Sequence, residues 1–206
     1  LMRHRVHDIL LVASRYDAFI LEEDGRLTEQ ILHEYLGMNL SYAPRVWQAN
    51  TASYAMDLLS RRSVDLVIVM MRISDMDLIT FGTQVKETYK NKPIILLAFD
   101  ESEIKQLPDD RKQFMDNVFV WTGNSNVFPA IIKYIEDSKN VKRDTRKGDV
   151  RSIIYIEDTP RFYSSILPLI YKETLYHTKQ LIDKSLNNTQ RLLHMRGRPK
   201  VLLAQD

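Results

Sequence analysis

The stretch DLVIVMMRISDMD, residues 65–77, decides the fold prediction. Its first half is almost entirely aliphatic, which is typical of a strand that is covered on both faces in a parallel sheet. Sites in such sheets form at the carboxyl ends of strands, so a phosphate-accepting or metal-binding site would need an acid there. Met70 and Met71 stand at this point instead, and the carboxylates Asp75 and Asp77 follow only in the next loop.

Similar apolar runs alternate with helix-period segments through residues 1–138. The runs are 8–13, 45–49, 65–71, 93–99 and 118–121, and the helical segments lie near 17–36, 51–61, 77–90, 101–115 and 124–138. Alternation of this kind implies right-handed crossovers between parallel strands. The sequence therefore predicts an α/β fold with a doubly wound, five-stranded parallel sheet.

The composition changes at residues 139–150, which are charged and poor in large apolar side chains, so this segment is interpreted as a linker. The pattern then restarts, because residues 153–158 resemble 9–14 and residues 199–204 resemble 44–49. This similarity indicates an internal duplication. Residues 151–206 are too short for a full second copy, so we interpret them as the incomplete N-terminal part of one. The exposed strand edges of that part are expected to pair with the first domain or with a second chain, as in a homodimer.

Bulk composition narrows the function classes. The chain has 206 residues, no cysteine and a formal net charge of +2, which gives no strong electrostatic reason to expect nucleic acid or anionic lipid. No apolar run approaches the roughly 20 residues that span a bilayer. We expect a cytoplasmic protein with no membrane partner.

The local sequence resembles the receiver domains of bacterial response regulators. Residues 65–77 are similar to that family's third strand and the loop after it, PIILLAF (93–99) to its fourth strand, and DNVFVWTGN (116–124) to its fifth strand and the following turn. The resemblance covers about residues 7–138 and restarts near 151. It implies a flavodoxin-like receiver fold and a role in two-component signalling or a phosphorelay.

The residues that carry chemistry in that family are missing here. The family's phospho-accepting Asp falls on Met70, and its paired metal-binding acids fall on Ala13 and Ser14. Its Ser/Thr falls on Ala98 and its Lys on Trp121. Apolar bulk at these positions would leave Mg²⁺ few oxygen ligands. The sequence therefore predicts a degenerate pseudo-receiver without a cofactor. The alternative is an unrelated α/β domain that never had such a site.

The second copy differs, because Glu157 and Asp158 follow its first strand, where the resemblance puts the family's acidic pair. These carboxylates either contribute to a Mg²⁺ site in a completed second domain or only start a loop before Pro160.

The resemblance implies signalling by protein contact, with a downstream effector as partner and no catalysis by this chain. Family members respond through a face that corresponds to residues 101–138, where Ile104, Phe114 and Tyr134 are candidate contact residues. The tandem arrangement and RFYSSILPLIY (161–171) also resemble the N-terminal region of bacterial proteins similar to phosphoenolpyruvate synthase or pyruvate, phosphate dikinase.

Two other function classes remain as alternatives. A DNA-binding regulator could use RGRPK (196–200), which resembles an AT-hook, although a loop before a strand is the simpler interpretation. A small α/β enzyme would need convergent acid, base or nucleophilic groups at the strand ends, and the first domain has none there.

Overall fold

A computed structural model describes residues 3–23, 25–38, 40, 42–184 and 198–205. The strands are β1 Asp8–Val12, β2 Arg45–Ala49, β3 Leu66–Val69, β4 Ile94–Ala98, β5 Asn117–Val120, β6 Ser152–Ile156 and β7 Lys200–Ala204. The helices are α1 Arg15–Leu21, α2 Leu27–Gly37, α3 Ala52–Arg61, α4 Leu78–Thr88, α5 Glu101–Lys105, α6 Val127–Gly148 and α7 Pro160–Asp183. Among these described helices, none is long and apolar enough to cross a membrane.

The main sheet has five parallel strands in the order β2-β1-β3-β4-β5. This confirms the predicted doubly wound sheet. Side chains alternate across it, so that Leu11 and Ile68 enter a core beneath α1, α2 and α6, whereas Val12 and Val69 enter a core beneath α3, α4 and α5. Burial on both faces explains the continuous apolar runs in the sequence.

Two predicted helices are shorter than expected. The segment 17–36 forms two helices, because the chain turns between α1 and α2 at Gly25, whose φ of +127° is unfavourable for other residues. The segment 101–115 is helical only through α5 and a 3₁₀ turn at Arg111–Gln113. Pro108 explains the interruption, since it disfavours helical geometry at the residue before it.

The last helix of the first domain is longer than predicted. Helix α6 continues through Gly148, so most of the segment 139–150 that was interpreted as a linker is helical. Asn140 and Asp144 lie buried on one side of this extension. Their burial explains why a polar segment holds a fixed helical conformation. The division into 1–138, 139–150 and 151–206 stays a prediction.

The second segment forms its own two-stranded parallel sheet, in which β6 pairs with β7. Ile153 lies opposite Val201, and the equivalent residues of the first copy, Ile9 and Val46, are also register partners. Among the described residues, β7 pairs with β6 and with no strand of the main sheet. Between the two strands the sequence has apolar residues at helical spacing from Phe162 to Leu193, and α7 covers this pattern through Ile182. Its last members, Leu192 and Leu193, lie outside the described residues.

Helix α7 packs directly on the first domain. Tyr163, Leu167 and Tyr171 are fully buried in the same core as α6 and the main sheet. The ring of Tyr163 meets Phe119 of β5 edge to face, with centroids 5.4 Å apart. The second segment therefore shares a hydrophobic core with the first.

Candidate functional site

The positions onto which the sequence resemblance maps the receiver site lie together at the carboxyl edge of the main sheet. The backbone N–H of Met70 donates to Val12 O at 2.9 Å, and that of Trp121 donates to Ala98 O at 2.7 Å. Ladder bonds of this kind place neighbouring strand ends side by side. We call this set of positions the rim; it comprises Ala13, Ser14, Met70, Ala98 and Trp121.

The rim is apolar except at Ser14, and three of its five side chains are buried. Met70 is 1% exposed, and Ala13 and Ala98 are also buried. The half-buried indole of Trp121 packs against Phe128, with ring centroids 5.9 Å apart. None of these four side chains offers an oxygen ligand or a nucleophile.

Ser14 is the polar member of the rim, and its side chain caps a helix. Its Oγ accepts the backbone N–H of Asp17 at 3.0 Å and so caps the N-terminus of α1. Its backbone N–H donates to Arg72 O at 3.0 Å, which holds the β1–α1 turn against the β3–α4 loop.

A buried carboxylate and a guanidinium join the same two loops. Asp17 is 1% exposed, and its Oδ1 accepts from the Arg72 guanidinium at 2.6 Å. Hydrogen bonding to Asp17 raises the pKa of Arg72, so the guanidinium is charged. We call this contact the Asp17–Arg72 bridge. Sequence reasoning missed this bridge, for which the available signal was an Arg two residues after Met70.

The donor set at the rim does not fit a Mg²⁺ ion. Such an ion prefers several oxygen ligands with octahedral geometry. The Asp17 carboxylate, in the first turn of α1, pairs with the Arg72 guanidinium, and the Ser14 hydroxyl caps the same helix. The Glu103 carboxylate accepts the backbone N–H of Phe99, next to Ala98, at 2.7 Å. Within the described ranges, no group of three or more His, Cys, Asp or Glu side chains could hold a metal ion.

The carboxylates after β3 are structural. Asp77 caps α4 by accepting the N–H of Thr80 at 2.9 Å. Asp75 reaches the N-terminus of α3, where it accepts the N–H groups of Ala52 and Ser53. The side-chain hydrogen bond from Thr80 is the main reason that the pKa of Asp77 is lowered. The side-chain hydrogen bond from Ser53 lowers the pKa of Asp75 in the same way. Both carboxylates, which the sequence places in the loop after the third strand, therefore accept hydrogen bonds from the first turns of helices.

Glu157 and Asp158 lie at the carboxyl end of β6, where Thr159 and Pro160 begin α7. Glu157 Oε1 accepts the backbone N–H of Thr159 at 2.9 Å. This contact fits the loop interpretation of the pair. Metal binding by the two carboxylates in a completed second domain stays a prediction.

Two of the three expected contact residues within 101–138 are not on the surface. Ile104 and Phe114 are buried in the core beneath α4, and Tyr134 is half-buried, with its hydroxyl accepting from the Asn117 amide. The prediction was wrong for Ile104 and Phe114, because these apolar side chains pack in the core, and it stays a prediction for Tyr134.

The outer edge of β5 is covered by α7. The N–H of Val120 donates to Ser164 Oγ at 2.9 Å, and the Tyr163 hydroxyl donates to Val118 O. An edge strand normally leaves such groups open to another strand. Here the chain satisfies them with a helix of its own second segment.

The junction between α6 and β7 is a buried ionic cluster around Asp137. This carboxylate is 0% exposed and accepts hydrogen bonds from the Arg198 guanidinium and, at 2.9 Å, from the Val201 N–H. The Lys200 ammonium lies 3.6 Å from it. Because its guanidinium is buried against Asp137, Arg198 of the AT-hook-like stretch 196–200 is not free to contact DNA. The other residues of that stretch that precede it, Arg196 and Gly197, lie outside the described residues.

Comparisons with known proteins support the fold. No protein-family model matches the sequence, and no curated protein matches it. A structure from streptococci, whose description speaks of redox sensors evolved from two-component response regulators, is 17% identical, with a TM-score of 0.52 over 75% of this chain and 59% of that one. A signal receiver domain from Vibrio parahaemolyticus is 12% identical, with a TM-score of 0.50 over 68% of this chain and 95% of that one.

A signal receiver domain of an HD domain-containing protein from Pseudomonas fluorescens Pf-5 is 21% identical, with a TM-score of 0.44 over 68% of this chain and 94% of that one. The first two similarities establish the receiver fold and, at these identities, nothing about activity. The expected similarity to phosphoenolpyruvate synthase-like proteins gains no support from them.

Proposed function

We propose that this chain is a cytoplasmic signal-transduction module that has the receiver fold, does not accept phosphate and acts by protein contact, not by catalysis. The observation that carries the proposal is the rim, where Met70 occupies the phospho-acceptor position in a closed apolar environment. Phosphoryl transfer to a carboxylate needs a nucleophile and a metal that neutralises developing charge. The rim supplies neither group.

The Asp17–Arg72 bridge supports a module that stays in one conformation. A metal in a working receiver would connect the segments after the first and third strands. Here a guanidinium and a carboxylate connect those two segments, at 2.6 Å. The connection needs no phosphate or metal, so the loops are held in one arrangement whatever the signalling state.

The covered edge of β5 supports a contact function within the chain. Side chains of α7 make hydrogen bonds to the backbone of Val118 and Val120. Tyr163 of the same helix also packs in the hydrophobic core of the first domain. The first domain thus acts as a packing platform for the second segment. In a longer protein similar to phosphoenolpyruvate synthase, this platform would position a second receiver, with Mg²⁺ at Glu157 and Asp158, against an effector.

Phosphorylation assays test the proposal. The chain is incubated with acetyl phosphate and Mg²⁺ and analysed by intact mass, beside a phosphorylatable receiver domain as the reagent control. We expect no mass increase for the wild-type chain. Met70→Asp should not gain phosphate either, because the metal ligands are also missing, and circular dichroism checks that this variant is folded. Phosphate on Asp75 or Asp77, or on any acid of the rim loops, would contradict the proposal.

A second copy of the chain is the proposed partner of the open edge of β6. Among the described residues, β6 pairs with β7 on one side only, and Ile154 and Ile156 are 65% and 73% exposed. Antiparallel pairing of two β6 strands about Ile154 would place Arg151 of each chain opposite Glu157 of the other. Such a twofold contact is self-complementary in charge.

Charge reversal tests this homodimer. Sedimentation should show a concentration-dependent dimer that Arg151→Glu and Glu157→Arg each weaken, and that the double variant restores. A monomer at all concentrations, or a dimer that both single variants leave unchanged, would contradict pairing of two β6 strands. DNA binding is not favoured, since Arg198 is held by Asp137.

A further inference from the structure

A cavity of about 760 Å³ opens at the amino-terminal edge of the main sheet, opposite the rim. Its walls come from the segments that precede β1 and β2, from the end of α2 and the loop after it, and from α6. Volumes of about 300–1,000 Å³ are typical of sites for small molecules. Neither the receiver resemblance nor the proposed contact function uses this part of the fold.

The acid in the cavity wall is already neutralised. Glu136 is 3% exposed, its Oε1 accepts the N–H of Val6 at 3.0 Å, and its Oε2 accepts from the Lys133 ammonium at 2.7 Å. Glu136 therefore does not repel an anion as an unpaired carboxylate would.

Two buried donors in the same wall have hydrogen-bonding capacity that the described residues do not use. The hydroxyl of Tyr35, a residue only 3% exposed, has no hydrogen-bond partner among the described residues. The Lys133 ammonium lies 5.7 Å from the centre of the Tyr35 ring and, in the part of the chain that is described, donates only to Glu136, although an ammonium can donate three hydrogen bonds. Burial raises the pKa of the Tyr35 phenol, which keeps its proton available for donation. Buried donors without acceptors are costly and rare.

The mouth of the cavity is basic and aromatic. Arg5, His7 and Arg45 line it and are exposed, and Tyr42 is 82% exposed beside them. The Arg45 guanidinium pairs with Asp8 at 2.9 Å, yet its side chain is 73% exposed and can contact a second anion. Exposed cations around a concave site attract negatively charged ligands.

We propose that this cavity binds a small organic oxyanion of about the size of a nucleoside monophosphate. The oxyanion accepts hydrogen bonds from Tyr35 and Lys133, and the rest of the ligand lies among Arg5, Tyr42 and Arg45. This inference is independent of the proposed contact function, because the rim and the cavity lie at opposite ends of the sheet.

Calorimetric titration of the full chain with adenosine monophosphate, inorganic phosphate and adenosine tests the site. We expect adenosine monophosphate to bind with a Kd of about 1 mM or tighter, phosphate to bind more weakly, and adenosine not to bind. The titration with inorganic phosphate shows whether the oxyanion group alone is enough for binding or whether the attached nucleoside is also needed.

Matched variants locate the binding. Tyr35→Phe should weaken binding about tenfold, since it removes one hydrogen bond to a charged group. It should leave the thermal stability of the free protein unchanged or higher, because it removes an unpaired buried hydroxyl. Arg5→Gln should weaken binding and its salt dependence. Tyr54→Phe, an exposed site in α3, is the control and should bind as the wild type does.

Three outcomes would overturn the inference. They are the absence of binding by adenosine monophosphate and phosphate at several times the expected Kd, binding by adenosine alone, and binding that Tyr35→Phe and Arg5→Gln leave unchanged.

Discussion

Replacing Asp137 by Asn should destabilise the junction between α6 and β7 more than any exposed charge change. The carboxylate is 0% exposed and serves Arg198, Lys200 and the N–H of Val201. An Asn oxygen can keep the Val201 bond, but its amide group would face the guanidinium and leave a buried positive charge uncompensated. Lys200 retains Asp144 at 3.1 Å, so Arg198, with 7% of its side chain exposed, bears most of the loss.

Removing one partner of a buried ion pair costs about 3–5 kcal/mol. Small domains are stable by about 5–15 kcal/mol, so the change removes a large part of the free energy of unfolding. We expect urea denaturation, followed by circular dichroism, to show a loss of about 3–5 kcal/mol. Limited proteolysis should cut faster near β6 and β7 than in the main sheet.

Two further variants give the controls. Asp57→Asn removes an exposed pair with Arg61 on α3 and should cost no more than about 0.5 kcal/mol. Adding Arg198→Met to Asp137→Asn should recover part of the loss, because it removes the uncompensated charge. A loss below about 1 kcal/mol for Asp137→Asn alone would refute the view that this cluster holds the second segment on α6.

Tyr163→Phe should lower the free energy of unfolding by about 1–2 kcal/mol in urea denaturation, because Val118 O at the edge of β5 loses its buried donor; an unchanged value would mean that water replaces the hydroxyl. Asp17→Asn should cost about 1 kcal/mol, since Arg72 is 56% exposed and water compensates part of the lost pair; a loss as large as that for Asp137→Asn would be unexpected. Burial raises the pKa values of Tyr35, Tyr163 and Tyr171 above those in the unfolded chain. The stability that these three residues contribute is therefore complete below pH about 10. It falls at higher pH, because their phenols ionise in the unfolded chain and stay protonated in the folded one. Tyrosinate absorbance should therefore show these residues ionising together with unfolding, after the exposed tyrosines.

The five strands of the main sheet could be predicted from sequence because burial on both faces produces continuous apolar runs. The duplication stays a prediction, and the register of Ile9 with Val46 and of Ile153 with Val201 is consistent with it. The positions of the rim followed from resemblance. Strand order then brought them together.

Long-range polar contacts could not be predicted in the same way. Charged residues in α6 indicated a solvated linker, since nothing local shows that Asp137 pairs with a guanidinium 61 positions later. The burial of Tyr163 against β5 and the Asp17–Arg72 bridge depend likewise on tertiary packing, which residue periodicity does not encode.

The most direct test of the central claim is an NMR titration of the chain with beryllofluoride and Mg²⁺, a mimic of the phosphorylated state. The closed rim predicts that the amide signals of Ala13, Met70, Ala98 and Trp121 do not move at saturating concentrations of both reagents. Saturable shifts at these residues that require both reagents together would show a working phosphoryl site and contradict the account.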